Sequence, residues 1–196
     1  MSVILESLPA TFTTKAALSL GAHPRDLYRW RDVGDVIELS RGVYRRADAP
    51  QATFPDLLAV AYRAPRAIAC CLTAAAVHDL TDEIEPTVQV AVSAAHHAAR
   101  IAFPPTTVLR FAPDTFELGL THVEAAPGEL VRVYDPARTV VDLMRLRGRF
   151  GEPVAHAALT RYLTKRAARP ADLLTYAKAL DVFGPVRTAV DVVSAR

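Results

Sequence analysis

The chain has 196 residues, of which 51% are hydrophobic and 22% are charged, a composition that supports a packed core and excludes a disordered protein. No stretch reaches the ~18 uninterrupted apolar residues of a membrane-spanning helix, and residues 1–8 lack the basic start and apolar run of a secretory leader. The two cysteines, Cys70 and Cys71, are adjacent and could pair only in a strained ring. We therefore expect buried, reduced thiols in a cytoplasmic protein.

The formal net charge is only +2, but the charged residues are segregated along the chain. Residues 51–131 hold four basic and nine acidic side chains, whereas residues 132–169 hold nine basic and three acidic ones. Residues 25–46 hold six arginines and four acids. This distribution predicts two positive surfaces with an acidic segment between them. Arginine supplies 20 of the 23 basic residues, which suits contacts with phosphates and base edges but is also what a GC-rich genome favours.

The first fifty residues are predicted to begin with three short helices. An apolar segment at residues 2–8 is followed by a helix that Thr13 or Thr14 can cap. That helix ends at Gly21, which can adopt the positive backbone φ of a tight turn. Pro24 then occupies the favoured first position of the third helix.

Two extended runs, residues 36–39 and 43–45, follow these helices, and the segment Ser40-Arg41-Gly42 joins them. A glycine in such a short connection predicts a tight hairpin. Helices followed by a hairpin are the order of a winged helix-turn-helix domain. Residues 47–55 contain two prolines and little periodicity, so we place the domain boundary there and predict domains at 1–50 and 51–196.

The remainder of the chain is predicted to form strands and then helices, with two helices and a short buried run before the first strand. The predicted fold class is therefore α+β, with an N-terminal winged helix-turn-helix and a mixed C-terminal domain of strands followed by four helices. The predicted helices are 55–64, 73–80, 136–147, 152–166, 170–180 and 185–194, the buried run is 66–71, and the predicted strands are 87–93, 107–111, 122–126 and 130–134.

The helix pair at residues 13–33 has the spacing that a helix-turn-helix requires. Gly21 lies in the turn between the helices, and the small residue Ala17 lies one turn earlier, where the first helix must approach the second. Leu27 and Trp30 are three residues apart and give the second helix one apolar side. We predict that this side is buried and that the opposite side faces a partner.

That opposite side carries two arginines and a tyrosine in the N-terminal half of the helix, which is the half that a reading helix presents to base edges. Arginine can bond guanine bidentately, and tyrosine can reach a phosphate or stack. Arginines at and after the hairpin tip are predicted to contact the DNA backbone or the minor groove. A small helical subdomain with a solvated surface of arginines and aspartates remains the alternative. The predicted DNA contacts are Arg25, Tyr28, Arg29, Arg41, Arg45 and Arg46.

The segment GAHPRDLYRWRDVGDVIELSRGVYRR, residues 21–46, resembles the N-terminal domain of the AbiEi-type antitoxins, predicted regulators of viral-defence loci. The resemblance depends on the glycine that ends the reading helix, the apolar strand after it, and the run Arg41-Gly42-Val43-Tyr44. AIACCLTAAAVHDL, residues 67–80, resembles the segment that opens the family's C-terminal domain. YDPARTVVDLMR, residues 134–145, resembles the family's Asp-Pro-x-Arg-Thr helix start.

The resemblance implies an antitoxin of a type IV toxin–antitoxin (abortive infection) pair. Its winged helix would bind double-stranded operator DNA, as a monomer or a dimer, and repress transcription of its own operon. Its C-terminal domain would counteract a nucleotidyltransferase-like toxin from a neighbouring gene. The alternative is a direct toxin-binding or toxin-modifying protein in which the winged helix is a protein-contact surface.

Catalytic and metal chemistry find little support in the residues. A metal-dependent nuclease needs acids that converge on a metal and usually a lysine beside them, but the three lysines lie outside the predicted strands and the strand TVQVAVS carries no acid. His96 and His97 have no ligand at metal-binding spacing, and Ser93 and His78 have no acid partner for a triad. Asp135 is expected to cap a helix rather than to react. We therefore predict no enzyme, no catalytic residue, no metal site and no cofactor.

A second group of basic residues follows in the C-terminal region. Two of them, Arg161 and Lys165, are four residues apart and are predicted to share one helical face. The group could contact a nucleic-acid backbone, clamp an acidic part of a toxin, or simply be solvated. Its members are Arg145, Arg147, Arg149, Arg161, Lys165 and Arg166.

Overall fold

The structure is a computed structural model that describes residues 3–97 and 100–194. The chain divides into two compact units. Unit 1 holds the described residues of 1–65, 99–106 and 124–131, and unit 2 holds those of 66–98, 107–123 and 132–196. Unit 1 thus extends past residue 50, where the sequence placed a domain boundary, because the next helix and two later segments belong to it.

Unit 1 contains the three helices and the hairpin that the sequence predicts. Its elements in chain order are α1 (Val3–Ser7), β1 (Thr11–Thr13), α2 (Thr14–Ser19), α3 (Pro24–Asp32), β2 (Val36–Ser40), β3 (Val43–Arg46) and α4 (Pro55–Arg63). Thr13 caps α2, since its side chain accepts a hydrogen bond from the Ala16 amide at 3.2 Å. Pro24 is the first residue of α3.

Strand β1 was not predicted from the sequence. It pairs antiparallel with β3, which also pairs antiparallel with β2, so the order of the sheet is β1-β3-β2. Phe12 lies opposite Tyr44 in this register, and the two rings stack with centroids 5.8 Å apart. The sheet therefore has the hairpin strand β3 at its centre.

The core of unit 1 fixes the orientation of α3. Leu27 is 3% exposed and Trp30 is 1% exposed, as the sequence predicts for the apolar side of this helix. They pack in one cluster with residues from α1, α2 and the sheet. Its buried members are Leu5, Leu8, Phe12, Ala17, Ala22, Leu27, Trp30, Val36 and Tyr44.

Unit 2 is built on a five-stranded sheet, and residues 124–131, at the turn between the last two strands, are assigned to unit 1. The strands are β4 (Ile68–Ala69), β5 (Val88–Ser93), β6 (Thr106–Phe111), β7 (Leu120–Ala126) and β8 (Glu129–Tyr134). Their order in the sheet is β6-β5-β4-β8-β7, and β4 runs antiparallel to β5 and parallel to β8. The helices are α5 (Cys71–Val77), α6 (Pro136–Arg145), α7 (Arg147–Phe150), α8 (Glu152–Thr164), α9 (Pro170–Ala179) and α10 (Phe183–Ser194).

These elements confirm the predicted α+β fold, with two differences in the helical region. The single turn α7 separates α6 from α8 and was not predicted. Helix α8 ends at Thr164, and Lys165 already has an extended backbone. The prediction that Arg161 and Lys165 share one helical face is therefore wrong.

Helix α6 lies at the centre of unit 2, where it packs against α5, α8 and α9. Asp135 caps it, as predicted, by accepting a hydrogen bond from the Arg138 amide at 2.8 Å. The Arg138 side chain is fully buried and donates to the carbonyls of Thr115 and Leu118 at 2.8 and 2.6 Å. Cys70 and Cys71 are both buried and free, as predicted.

None of the helices in the described residues is long and apolar enough to cross a lipid bilayer.

Candidate nucleic-acid interface

The N-terminus of α3 is held by a reciprocal pair of capping bonds. The His23 ring accepts a hydrogen bond from the Arg25 amide at 3.2 Å through Nδ1, and the His23 amide donates to the Asp26 carboxylate at 2.9 Å. Such a box satisfies amides that a helix start leaves without partners. The box fixes the first turn of the helix, the turn that a groove-reading helix presents to DNA. The sequence did not single out His23, because histidine is an uncommon cap.

The turn between α2 and α3 has the geometry that the sequence predicts. Gly21 has a φ of +90°, which residues with a side chain rarely adopt. The amides of Gly21 and Ala22 both bond back to α2, to the carbonyls of Leu18 and Ala17 at 3.1 Å each. Ala17 is fully buried at this crossing. The tight turn thus sets the crossing of the two helices.

The side of α3 opposite Leu27 and Trp30 is exposed. Arg25 is exposed, Tyr28 is 57% exposed, and the side chain of Arg29 is 62% exposed. Arg29 pairs with Asp26 at 3.1 Å, one turn earlier on the same helix. Such an exposed pair contributes about 0–1 kcal/mol, so a partner can displace it at low cost. The predicted reading residues therefore lie together on an accessible helical face.

The wing is a tight connection between β2 and β3 with Arg41 exposed at its tip. Gly42 has a φ of +75°, and its carbonyl accepts a hydrogen bond from the Thr14 amide at 2.9 Å. A Cβ at this position would lie 3.2 Å from the Thr14 hydroxyl. The positive φ therefore favours glycine here, and the close approach of the wing to α2 leaves little room for a side chain.

Arg45 does not lie on the wing surface, and its predicted contact with DNA is wrong. It is 5% exposed and pairs with Glu129. It also donates to the Thr11 hydroxyl at 2.6 Å and to the Pro50 carbonyl. The carboxylate that neutralises it lies 84 residues further along the chain, so the local sequence pattern could not predict the burial of Arg45.

Arg46 makes several contacts within unit 1 although its side chain is 21% exposed, and its contact with DNA stays a prediction. Its guanidinium donates to Asp48 at 2.9 Å and to the carbonyls of Glu6 and Leu8 at 3.2 Å each. The hydrogen bond from Arg46 lowers the pKa of the Asp48 carboxyl. The side chain therefore ties α1 to the end of β3.

Two cations that the sequence did not assign to DNA lie near the wing. Lys15 follows the cap of α2, and Arg63 ends α4 and donates to the Arg41 carbonyl at 3.2 Å. Arg31, on the flank of α3, pairs with Glu38 at 3.3 Å and lies 5.4 Å from the centroid of the Tyr28 ring. Residues 15, 31, 41 and 63 are brought together by tertiary folding, so sequence spacing carries no signal for the group.

Half of the second group of basic residues is paired with carboxylates within unit 2. Arg145, Arg147 and Arg161 each pair with a carboxylate. Their partners are Asp142 at 2.9 Å, Glu152 at 3.2 Å and Asp82 at 3.0 Å, respectively. Lys165 lies beyond the end of α8, and Arg149 and Arg166 are exposed. Local ion pairs account for three of these six side chains, and contact of the group with nucleic acid or with a toxin stays a prediction.

The described residues contain no group of three or more histidines, cysteines or carboxylates that could hold a metal ion. His78 is half-buried and its Nε2 lies 2.7 Å from the Tyr134 carbonyl. Burial lowers its pKa, which keeps the ring neutral. His78 therefore has a structural role. His96 lies in the turn after β5, where its amide bonds to the Ser93 carbonyl at 3.0 Å.

Residues 4–47 match the family described as "Transcriptional regulator, AbiEi antitoxin", which confirms the resemblance drawn from residues 21–46. The matched segment runs through the helix-turn-helix and the wing. The crystal structure of the RV2827C protein from Mycobacterium tuberculosis has a similar fold, with a TM-score of 0.57 and 13% sequence identity over 98% of this chain and 78% of that one. No curated protein matches the chain.

Proposed function

We propose that this protein is the antitoxin of a type IV toxin–antitoxin pair, that it binds double-stranded operator DNA through α3 and the wing, and that it thereby represses its own operon. The family match supports a role as antitoxin and transcriptional regulator. The resemblance of residues 67–80 and 134–145 to the family's C-terminal domain supports a second role, in which the protein counteracts a nucleotidyltransferase-like toxin without itself acting as an enzyme.

One observation carries the DNA-binding part of the proposal. Helix α3 is fixed by Leu27 and Trp30 on one side and presents Arg25, Tyr28 and Arg29 on the other. An α-helix fits the major groove, and its N-terminal residues then face the base edges. The capping box holds that N-terminus in place, so the two arginines project from a rigid element.

A direct test measures binding of the full chain to a labelled duplex taken from upstream of its own gene. A scrambled duplex of the same length and composition serves as the competitor. We expect a specific complex with the upstream duplex and a steep loss of affinity with rising salt, because phosphate contacts release counterions. Binding that is indifferent to both sequence and salt would contradict the proposal and favour the use of the winged helix as a protein-contact surface.

Substitutions on α3 and the wing separate base reading from backbone contact. Arg25→Ala and Arg29→Ala should each weaken binding to the upstream duplex by about 1–3 kcal/mol and reduce the preference for it over the scrambled duplex. Arg41→Ala should weaken binding to both duplexes alike. Arg187→Ala, an exposed arginine 3.8 Å from Asp191 on α10, is the matched control and should change neither affinity. Unchanged affinity in all three α3 and wing variants, with the fold intact, would rule out this interface.

A reporter gene placed behind the upstream DNA tests the proposal in cells. Arg25→Ala should lose repression, whereas protection from the toxin should persist because unit 2 is untouched. Loss of both repression and protection, in a variant that folds normally, would contradict the assignment of DNA binding to unit 1 and of toxin neutralisation to unit 2.

A further inference from the structure

A cleft of about 520 Å³ opens in unit 1 between the wing, α2, α3 and the end of α4. Tyr28 lines this cleft and is also one of the exposed residues on the reading side of α3. The cleft is therefore continuous with the proposed base-reading face. Its lining residues include Lys15, Arg31, Arg41, Arg63, Tyr28 and Glu38.

The charge of the cleft is strongly positive. Four cations line it, and the lining residues include a single carboxylate, that of Glu38. Both oxygens of Glu38 already have partners, because one accepts a hydrogen bond from Arg31 at 3.3 Å and the other accepts one from the Gly42 amide at 3.2 Å. Lys15, Arg41 and Arg63 are exposed, and no carboxylate pairs with them among the described residues. The cleft thus concentrates positive charge that unit 1 does not neutralise.

The wall of the cleft at α4 is held in place by hydrogen bonds. The Tyr62 hydroxyl lies 3.0 Å from the Thr11 carbonyl and 3.1 Å from the Glu129 carboxylate. Burial, reinforced by Glu129, raises the pKa of Tyr62 to about 12, so the phenol stays neutral and adds no negative charge. Arg63, the next residue, is positioned by this anchored turn and by its bond to the Arg41 carbonyl.

We infer that this cleft binds backbone phosphates of the duplex that α3 reads, and that Lys15 and Arg63 are their main contacts. The inference rests on the proposed function and adds a phosphate-binding surface on the flank of α3 that faces the wing. An oxyanion suits the cleft because exposed cations from α2, the wing and α4 converge there beside threonine hydroxyls. Arg63 lies outside residues 4–47, so α4 extends the interface beyond the family-matched segment.

The test compares the salt dependence of binding by the intact full-length protein and its variants, on both the upstream and the scrambled duplex. Lys15→Ala and Arg63→Ala should each reduce the slope of log affinity against log salt concentration by about 0.9. Each should also weaken binding to the two duplexes by the same factor. Sequence preference should not change. Arg66→Ala, an exposed arginine three residues beyond Arg63, is the matched control and should leave the slope as it is.

Arg63→Lys distinguishes the charge of Arg63 from its hydrogen bond to the wing. It keeps the cation while disrupting the fixed bond to the Arg41 carbonyl, so we expect it to retain the slope. A slope reduced as much in Arg63→Lys as in Arg63→Ala would overturn the inference, because it would show that Arg63 acts by positioning the wing.

Failure of this inference is distinguishable from failure of the proposed function. If Lys15→Ala and Arg63→Ala leave the slope unchanged while Arg25→Ala still weakens binding, the DNA-binding function stands and the cleft inference falls. Calorimetric titration with deoxyadenosine monophosphate tests a small ligand in place of DNA. We expect no saturable heat, and saturable binding that Lys15→Ala removes would overturn the inference in favour of a nucleotide site.

Discussion

Unit 1 presents arginines to solvent on α3 and at the tip of the wing, whereas unit 2 buries Arg138 in its core and pairs several other arginines with carboxylates. On α3, Arg25 and Arg29 project outward, and the side chain of Arg29 is 62% exposed although it pairs with Asp26. In unit 2, Arg138 and Asp142 are both fully buried and pair at 2.9 Å. The same residue type is therefore available for the proposed DNA contacts in one unit and forms part of the core in the other, and burial with a carboxylate partner marks the difference.

The buried arginine of unit 2 has aromatic as well as charged neighbours. The guanidinium carbon of Arg138 lies 4.3 Å from the centroid of Tyr134 and 5.6 Å from that of Phe111. One of its terminal nitrogens has no hydrogen-bond partner among the described residues. Ring faces attract a cation in a desolvated site, so these aromatic faces partly compensate that nitrogen and the core tolerates a guanidinium.

The largest expected effect comes from removing the acid of that buried pair. Asp142→Ala should lower the free energy of unfolding by about 3–5 kcal/mol, because it leaves Arg138 charged and buried without its carboxylate. Urea denaturation followed by circular dichroism measures the loss. Asp142→Asn keeps a hydrogen-bond acceptor and should lose less. Equal stability of the alanine variant and the wild type would show that the buried arginine of unit 2 does not depend on its carboxylate partner.

A second substitution tests the arginine of unit 1 that behaves like those of unit 2. Glu129→Ala should destabilise the protein by about 3 kcal/mol, because Arg45, which is 5% exposed in the wild type, then lacks its carboxylate. Glu129→Gln keeps an acceptor for Arg45 and Tyr62 and should lie between the alanine variant and the wild type in a denaturant titration. Wild-type stability in Glu129→Ala would mean that Arg45 reaches solvent and could be reassigned to the DNA surface.

The smallest effect is expected at the surface of unit 2. Arg161→Ala should leave the thermal stability of the protein close to that of the wild type, since Asp82 is 84% exposed and water solvates it when its partner is removed. Arg166→Ala, at an exposed arginine, is the control, and thermal unfolding of both variants beside the wild type measures the difference. A large drop in the melting temperature of Arg161→Ala alone would show that the exposure of an ion pair does not predict its contribution to stability.

Features determined by neighbours in sequence were predictable. The caps at Thr13 and Asp135 each join residues three apart, and the burial of Leu27 and Trp30 follows from helical periodicity. The turn glycine at position 21 is likewise a local requirement. The helix-turn-helix could therefore be placed correctly from the sequence alone.

Features determined by distant contacts were not predictable. Strand β1 is three residues long and exists because β3, about 30 residues later, pairs with it. The burial of Arg45 depends on Glu129, and the cleft depends on Arg63 meeting the wing. The local sequence shows that an arginine is present, but it does not show whether the folded chain places a carboxylate beside it.

Each unit carries its own spectroscopic or chemical reporter. The single tryptophan, Trp30, lies in the core of unit 1, and both cysteines, Cys70 and Cys71, lie buried in unit 2, where burial raises the pKa of the Cys70 thiol and suppresses its reactive thiolate. Fluorescence will follow the melting of one unit while pulsed alkylation follows the opening of the other. Whether the two transitions coincide can thus be read from the natural sequence, without introducing a dye or a tag.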